Sequence, residues 1–271
     1  MNLLKELLRE LSTGLNPADY PPQFFKSHLS FRLKKSRIEP VKHPHIPNIN
    51  SFLFVERQKE ILLRNTQQFV EGYPANDVLL WGARGTGKSS LVKALLGVFG
   101  DKGLRIIQLY KDEIPELTEL YEVLRDKEER FILFFDDLSF EPHEDSFKLL
   151  KSLLEGDIEE RPPNVLVYAT TNRRNLVLER EEEEKFPEES MQERVSLVER
   201  FGIRLQFPPF SQQNYLEIVK KYLETFGVEF SEEVKLEALR WATERGSFSG
   251  RVAFQFVKDL LGRLRIKTDR I

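Results

Sequence analysis

The residues Gly82-Ala83-Arg84-Gly85-Thr86-Gly87-Lys88-Ser89 carry the spacing Gly-x-x-x-x-Gly-Lys-Ser. This pattern binds phosphate because its glycines let the backbone wrap until several N–H groups point inward at an anion. Lys88 has the reach to place an ammonium on β- and γ-phosphates, and the Ser89 hydroxyl is a ligand for Mg2+. Such a loop works only between a strand and a helix, and both flanks are here. Val78-Leu79-Leu80-Trp81 is an apolar strand, and Ser90-Leu91-Val92-Lys93-Ala94-Leu95-Leu96 reads as a helix whose N-terminal partial charge favours the same anion. The expected phosphate cradle is Gly82, Ala83, Arg84, Gly85, Thr86, Gly87, Lys88, Ser89 and Ser90. The competing reading, a chance match in a Gly-rich loop, leaves the two flanks unexplained.

Four further signals fit that chemistry. Phe131-Ile132-Leu133-Phe134-Phe135-Asp136-Asp137 is an apolar strand ending in two acids. Carboxylates placed this way lie at the carboxyl edge of a sheet, where α/β proteins bind ligands. Asp136 is expected to hold Mg2+, mostly through water, and Asp137 to orient and activate an attacking water. The bland alternative is a strand running into a turn, where Asp is common. Val165-Leu166-Val167-Tyr168-Ala169-Thr170-Thr171-Asn172 ends the same way, and Asn172 is the candidate to position water or sense the γ-phosphate rather than merely open a turn. Arg200 stands just before the last strand, across the sheet from its own phosphate loop, which suits an arginine finger supplied in trans. Arg194 is the reserve candidate, and a surface ion pair is the alternative. In Gly246-Ser247-Phe248-Ser249-Gly250-Arg251, Ser249 can cap a helix. Arg251, in the first turn of that helix, would point back over the nucleotide unless it only pairs with a nearby acid. The candidate catalytic set is therefore Lys88, Asp137, Asn172, Arg200 and Arg251, with Ser89 and Asp136 as the metal pair.

These residues need elements to position them. Five short apolar runs, Val78–Trp81, Leu104–Leu109, Phe131–Phe135, Val165–Ala169 and Ile203–Phe207, are separated by segments long enough for helices. That is the signature of a buried parallel sheet with helical crossovers. A helix is predicted from Val55 to Gly72, with Ile61, Leu62 and Phe69 inward. After Pro208-Pro209 three helical patterns succeed one another without a strand, near 211–226, 231–244 and 249–264, with Ser211 and Ser231 as N-caps. The expected division is an N-terminal helix and basic extended arm at 1–50, an α/β nucleotide domain at 51–207 and a helical domain at 208–271. Leu at positions 3, 4, 7, 8 and 11 makes the N-terminal helical stripe, and prolines break up the segment between it and residue 50. Between 26 and 42, Lys26, Arg32, Lys34, Lys35, Arg37 and Lys42 stand against Glu39 alone. A solvated arm is the favoured reading, because no aromatic stacking series accompanies the charges; contact with nucleic acid or anionic lipid is the alternative. The acidic run Glu179 to Glu184 is read as a solvated loop, with a basic partner as the alternative.

Composition sets the outer limits. With 271 residues, 40% hydrophobic and 31% charged, the chain is read as globular and water-soluble. No apolar stretch approaches the roughly 18 residues of a membrane span, and the charged N-terminus does not read as a signal peptide. The absence of cysteine excludes disulfides and thiolate metal sites and suits the cytoplasm. The four histidines show no metal-ligand spacing. A net charge of −3 gives no global pull toward nucleic acid.

Taken in order, the motifs resemble those of an AAA+ ATPase: Walker A, Walker B, sensor 1, arginine finger and sensor 2, with a helical lid. The residues around them, notably Asp136-Asp137-Leu138-Ser139-Phe140, Thr171-Asn172-Arg173-Arg174 and Leu197-Val198-Glu199-Arg200-Phe201-Gly202, resemble the bacterial AAA+ family catalogued as domain of unknown function 815, over roughly 50–265. The resemblance implies an α/β P-loop NTPase fold: a five-stranded parallel sheet sandwiched by helices, followed by a small all-helical lid. It implies ATP or ADP with Mg2+ as cofactors, a homo-oligomer and an adenine pocket near Arg57-Gln58-Lys59-Glu60. Most active AAA+ enzymes have Asp-Glu in Walker B. Here the second acid is Asp137, one methylene shorter, which predicts slow turnover.

Two jobs fit the resemblance. One is an ATP-hydrolysing machine that remodels or loads a protein partner. The other is a slow, nucleotide-gated binding switch. Tyr110-Lys111-Asp112-Glu113-Ile114-Pro115, after the second strand, lacks the aromatic-apolar-Gly pore loop of protein-threading rings, which disfavours an unfoldase. A loader on nucleic acid stays open, as does, more weakly, a metabolite kinase.

Overall fold

The computed structural model describes residues 14–140, 144–155, 160–172 and 197–268. The N-terminal Leu stripe, His143, Arg173, Arg174, the acidic run at 179–184 and Arg194 lie outside the described residues.

Seven strands form one sheet: β1 (Ser30–Leu33), β2 (Ile38–Pro40), β3 (Val78–Gly82), β4 (Leu104–Leu109), β5 (Arg130–Phe135), β6 (Val165–Thr171) and β7 (Ile203–Phe207), in the order β2-β1-β4-β5-β6-β3-β7. All neighbours are parallel except the β1–β2 hairpin. The five expected strands are present within a residue or two of their predicted bounds. The count of five is corrected to seven, because part of the segment read as a solvated arm folds onto the sheet. The reason is alternation: Phe31 and Leu33 are fully buried while Arg32 between them is exposed. Helix α1 (Pro22–Lys26) holds the hairpin in place, with Phe25 stacked edge-on against Phe31 and Phe131 at 5.2 and 5.0 Å.

The central strands are buried on both faces, which is why they read as nearly continuous apolar runs. Leu79, Ile107, Leu133 and Val167 belong to one core with α4 (Leu117–Leu124) and α5 (Asp145–Glu155). Leu80, Ile106, Ile132 and Leu166 belong to the other, with α2 (Glu56–Val70) and α3 (Lys88–Phe99). The C-terminal helices α6 (Gln212–Thr225), α7 (Glu232–Glu244) and α8 (Gly250–Thr268) form a third core around Tyr215, Ala238 and Phe256. Ser211 caps α6 through Asn214 N–H, and Ser231 caps α7 through Val234 N–H, as their sequence positions predict. Phe210 packs into both the second and third cores and so joins the sheet to the lid.

The order of strands decides what meets what. β3 lies between β6 and β7, so the phosphate loop after β3 is next to the end of β6 and one strand removed from the end of β5. Three carboxyl-end signals thus converge on one edge.

Candidate functional site

The loop between β3 and α3 is stitched at both ends. Ala83 N–H donates to Phe207 O at 2.9 Å, and the Thr86 hydroxyl donates to Ala83 O at 2.8 Å. Gly82 has to be glycine, because a Cβ there would collide with the Phe207 carbonyl. Gly85 sits at φ +71°, and a Cβ on it would lie 2.8 Å from Ser249 Oγ of the lid. The lid already touches the loop, since Gly250 N–H donates to Gly85 O at 2.9 Å. Ser249, 4% exposed, caps α8 through Val252 N–H at 3.3 Å.

Lys88 is 6% exposed, and its ammonium donates to Gly82 O (2.9 Å), Ala83 O (2.7 Å) and Asn172 Oδ1 (3.1 Å). Burial pushes its pKa down from 10.5 to about 8, against the opposing pull of Asp137 and Asp136; Arg251 and Arg84 add to the lowering. The Ser89 hydroxyl donates to Asp136 Oδ1 at 2.5 Å. Asn172 Nδ2 donates to Asp137 Oδ1 at 2.6 Å. These bonds make two hydrogen-bonded groups from three separate segments, Lys88–Asn172–Asp137 and Ser89–Asp136.

Sequence reasoning missed the residue that joins the two into one. Thr170, 1% exposed, donates its hydroxyl to Asp136 Oδ1 (2.8 Å) and accepts from Asp137 N–H (2.9 Å). Its own carbonyl accepts from Leu138 N–H at 2.7 Å. One threonine thus ties both acids, and Asp137 beside it sits at φ +59°, a left-handed conformation that Asp adopts more readily than most residues other than glycine. The signal was available as a hydroxyl two residues before Asn172, but its target depends on β5 and β6 being neighbours. Lys93, one turn into α3 from Ser89, was also missed; it stands 3.7 Å from Asp136.

The remaining candidates are not part of the hydrogen-bonded group. Arg84 is exposed and Ser90 half-buried, both on the loop or its helix. Arg251 is exposed on the first turn of α8, just after the residues that touch Gly85. Arg200 is exposed on the helical turn before β7, level with the start of β3, because Ile203 pairs with Val78. The whole length of β3, about 15 Å for five residues, separates it from the loop of its own chain. Of the Arg57–Glu60 stretch, Gln58 bonds Gln206 O at 2.7 Å. Phe52 lies beside the loop, its ring 3.3 Å from where a Cβ on Gly87 would be.

The donors fit a nucleotide with a hard cation. A neutral hydroxyl and a carboxylate 2.5 Å apart are oxygen ligands of the kind Mg2+ takes. Backbone N–H groups at the start of α3 and the Lys88 ammonium supply positive charge for phosphate.

Comparisons with known proteins agree with this fold. A family model described as "Protein of unknown function (DUF815)" matches residues 26–264. The Thermotoga maritima RuvB Holliday junction branch migration motor is similar in structure at a TM-score of 0.54, with 17% identity over 80% of this chain and 64% of that one. Aeropyrum pernix ORC1, solved in complex with DNA, gives 0.55 and 17% over 83% of this chain and 66% of that one. A DNA replication initiation factor gives 0.50 and 17% over 81% and 64%. The chain thus spans about two thirds of the length of these structures, and at such identity the likeness is one of fold. No curated protein matches the chain in sequence.

Proposed function

Because the chain belongs to the DUF815 family and has the AAA+ fold, we propose that it binds ATP with Mg2+ and hydrolyses it to act on a protein partner, as an oligomer. The observation that carries this reading is the unbroken chain of bonds from Lys88 through Asn172 to Asp137, and from Asp137 through Thr170 to Asp136 and Ser89. Mere phosphate binding requires the loop, the lysine and the hydroxyl. It does not require a second carboxylate held at a fixed angle by a threonine and an asparagine.

In this reading Lys88 leaves the loop carbonyls for phosphate oxygens. Asp136 and Ser89 would hold the cation, which would supply positive charge against the phosphates. Asp137 accepts a hydrogen bond from water, and Asn172 sets the direction of that carboxylate. Arg251 reports lid position, and Arg200 acts on the site of a second copy, since it cannot span β3 to reach its own. Purified protein should release phosphate from ATP with Mg2+, and Lys88→Ala should reduce this to background. Solution mass with ADP and with a non-hydrolysable ATP analogue tests the oligomer; a monomer under both would remove the role given to Arg200.

A second reading, a slow nucleotide-gated switch, is favoured by one observation. One oxygen of the Asp137 carboxylate is already taken by Asn172, and the side chain is short. Partner capture that needs ATP and survives Asp137→Ala would support the switch over the machine.

A further inference from the structure

The β1–β2 hairpin and the start of the segment after β4 form a surface that the nucleotide chemistry does not use. We propose that this surface binds single-stranded nucleic acid, with the backbone on Arg32, Lys34, Lys35 and Arg37 and a base stacked on Tyr110. The sequence alone argued against such a role because no aromatic accompanied the cations; the fold supplies one. β1 runs parallel to β4 with Arg32 opposite Gln108, so Lys34 and Tyr110 each lie two residues beyond that pair. The turn and the segment after Tyr110 are also tied directly, since Ser36 N–H donates to the Glu116 carboxylate at 3.0 Å.

The four cations are exposed, and among the described residues none has an ion-pair partner, whereas Lys26 of the same basic run is paired with Glu128 at 2.8 Å. Tyr110 is 52% exposed, and its ring stacks on no other described ring. Its backbone is fixed, because its N–H donates to the Glu113 carboxylate at 2.6 Å. Two of the nearby acids, Glu113 and Glu116, are thus already occupied by backbone N–H groups, and they fix the aromatic and the turn in place.

The turn itself runs against local preference. Lys34 and Arg37 exchange backbone hydrogen bonds at 2.9 and 3.1 Å, and the two residues between them, Lys35 and Ser36, have φ of 48° and 54°. Asn-Gly fits such a two-residue turn far better than Lys-Ser. Edge protection does not explain the charges, because the edge strand is β2, and it is blunted by Pro40 and Glu39 rather than by cations. A positively charged track with an exposed aromatic beside it is the arrangement that binds single strands with little sequence preference.

The test is anisotropy of a fluorescent oligothymidylate with the full chain, with and without ATP and Mg2+. Binding should weaken with salt and fall at least tenfold in Lys34→Glu/Lys35→Glu/Arg37→Glu, with a shallower salt slope. Tyr110→Ala should lose about tenfold and Tyr110→Phe should keep the wild-type affinity, since stacking needs only the ring. Unchanged phosphate release in these variants shows that they fold. Oligonucleotide binding without ATPase activity would overturn the proposed function and leave this surface standing. No binding by the wild type, equal binding by the charge-reversed variant, or binding by the same residues to anionic vesicles but not to the oligonucleotide would overturn the proposal.

Discussion

The two edges of the sheet carry polar networks of similar size that end differently. At the amino edge, buried Asp77 accepts from Val167 N–H and from Arg161, both at 2.7 Å. Asn164 Nδ2 donates to the carbonyls of Leu124, Lys127 and Glu129, and Arg105 to those of Phe25, Gly100 and Leu104. These side chains close on the protein's own backbone. At the carboxyl edge, Ser89, Asp136, Thr170, Asp137, Asn172 and Lys88 bond chiefly to one another, and several stay half-exposed. A side chain that completes the backbone serves the fold. Side chains that complete one another at an open edge can exchange those bonds for a ligand's.

Mutation should tell the two edges apart. The largest effect is expected at the open edge: Lys88→Ala should cut phosphate release about 100-fold or more, as loss of a charge aimed at the reacting group does, with the unfolding midpoint nearly unmoved. A matching loss of stability would put Lys88 with the closed groups. Asp77→Ala should do the reverse, costing about 2–4 kcal/mol of stability, on the order of 10 °C in thermal midpoint, because it strands Arg161 and Val167 N–H. Nucleotide affinity of the folded fraction should hold.

Thr170→Val probes the boundary, because Thr170 sits on both sides of it. Loss of the hydroxyl orphans Asp137 N–H, worth about 1–3 kcal/mol, and also frees Asp136. The Mg2+ concentration for half-maximal phosphate release should therefore rise several-fold, and Thr170→Ser should restore it. An unchanged Mg2+ requirement would make the residue structural only.

A change of pH tests the same lysine without a mutation. Lys88 is held at about 8 in the fold and titrates at 10.5 when unfolded. Between those values the unfolded chain binds the extra proton, so stability should rise with pH across that window while Mg-free ADP affinity falls, by up to about tenfold per pH unit. Calorimetric titration and melting curves over the same buffers check the opposite signs.

Much of this was legible in the sequence, for reasons that differ by element. The five parallel strands showed because burial on both faces leaves no room for polar residues, as in Phe131 to Phe135. The loop showed because a phosphate-loop pattern fixes residue types at set spacing, and the acids because they end an apolar strand. The hairpin at 30–40 was hidden because prolines around it signal breaks and Lys35-Ser36 is not a recognisable turn. Thr170 was hidden for a different reason: its role exists only once β5 and β6 are adjacent, and strand order is a property of the whole chain. Phe210, which packs into both the sheet core and the lid core, looks in sequence like any other core aromatic.

The bond from Gly250 N–H to Gly85 O makes α8 a lever with its short end on the phosphate loop. The helix has 19 residues, or about 28 Å of rigid arm. A tilt of roughly 10° at the Gly250 end would carry its far end through about 5 Å by that length alone. Displacements at the loop too small to alter the sheet would then arrive at the far end of the lid as movements the size of a side chain.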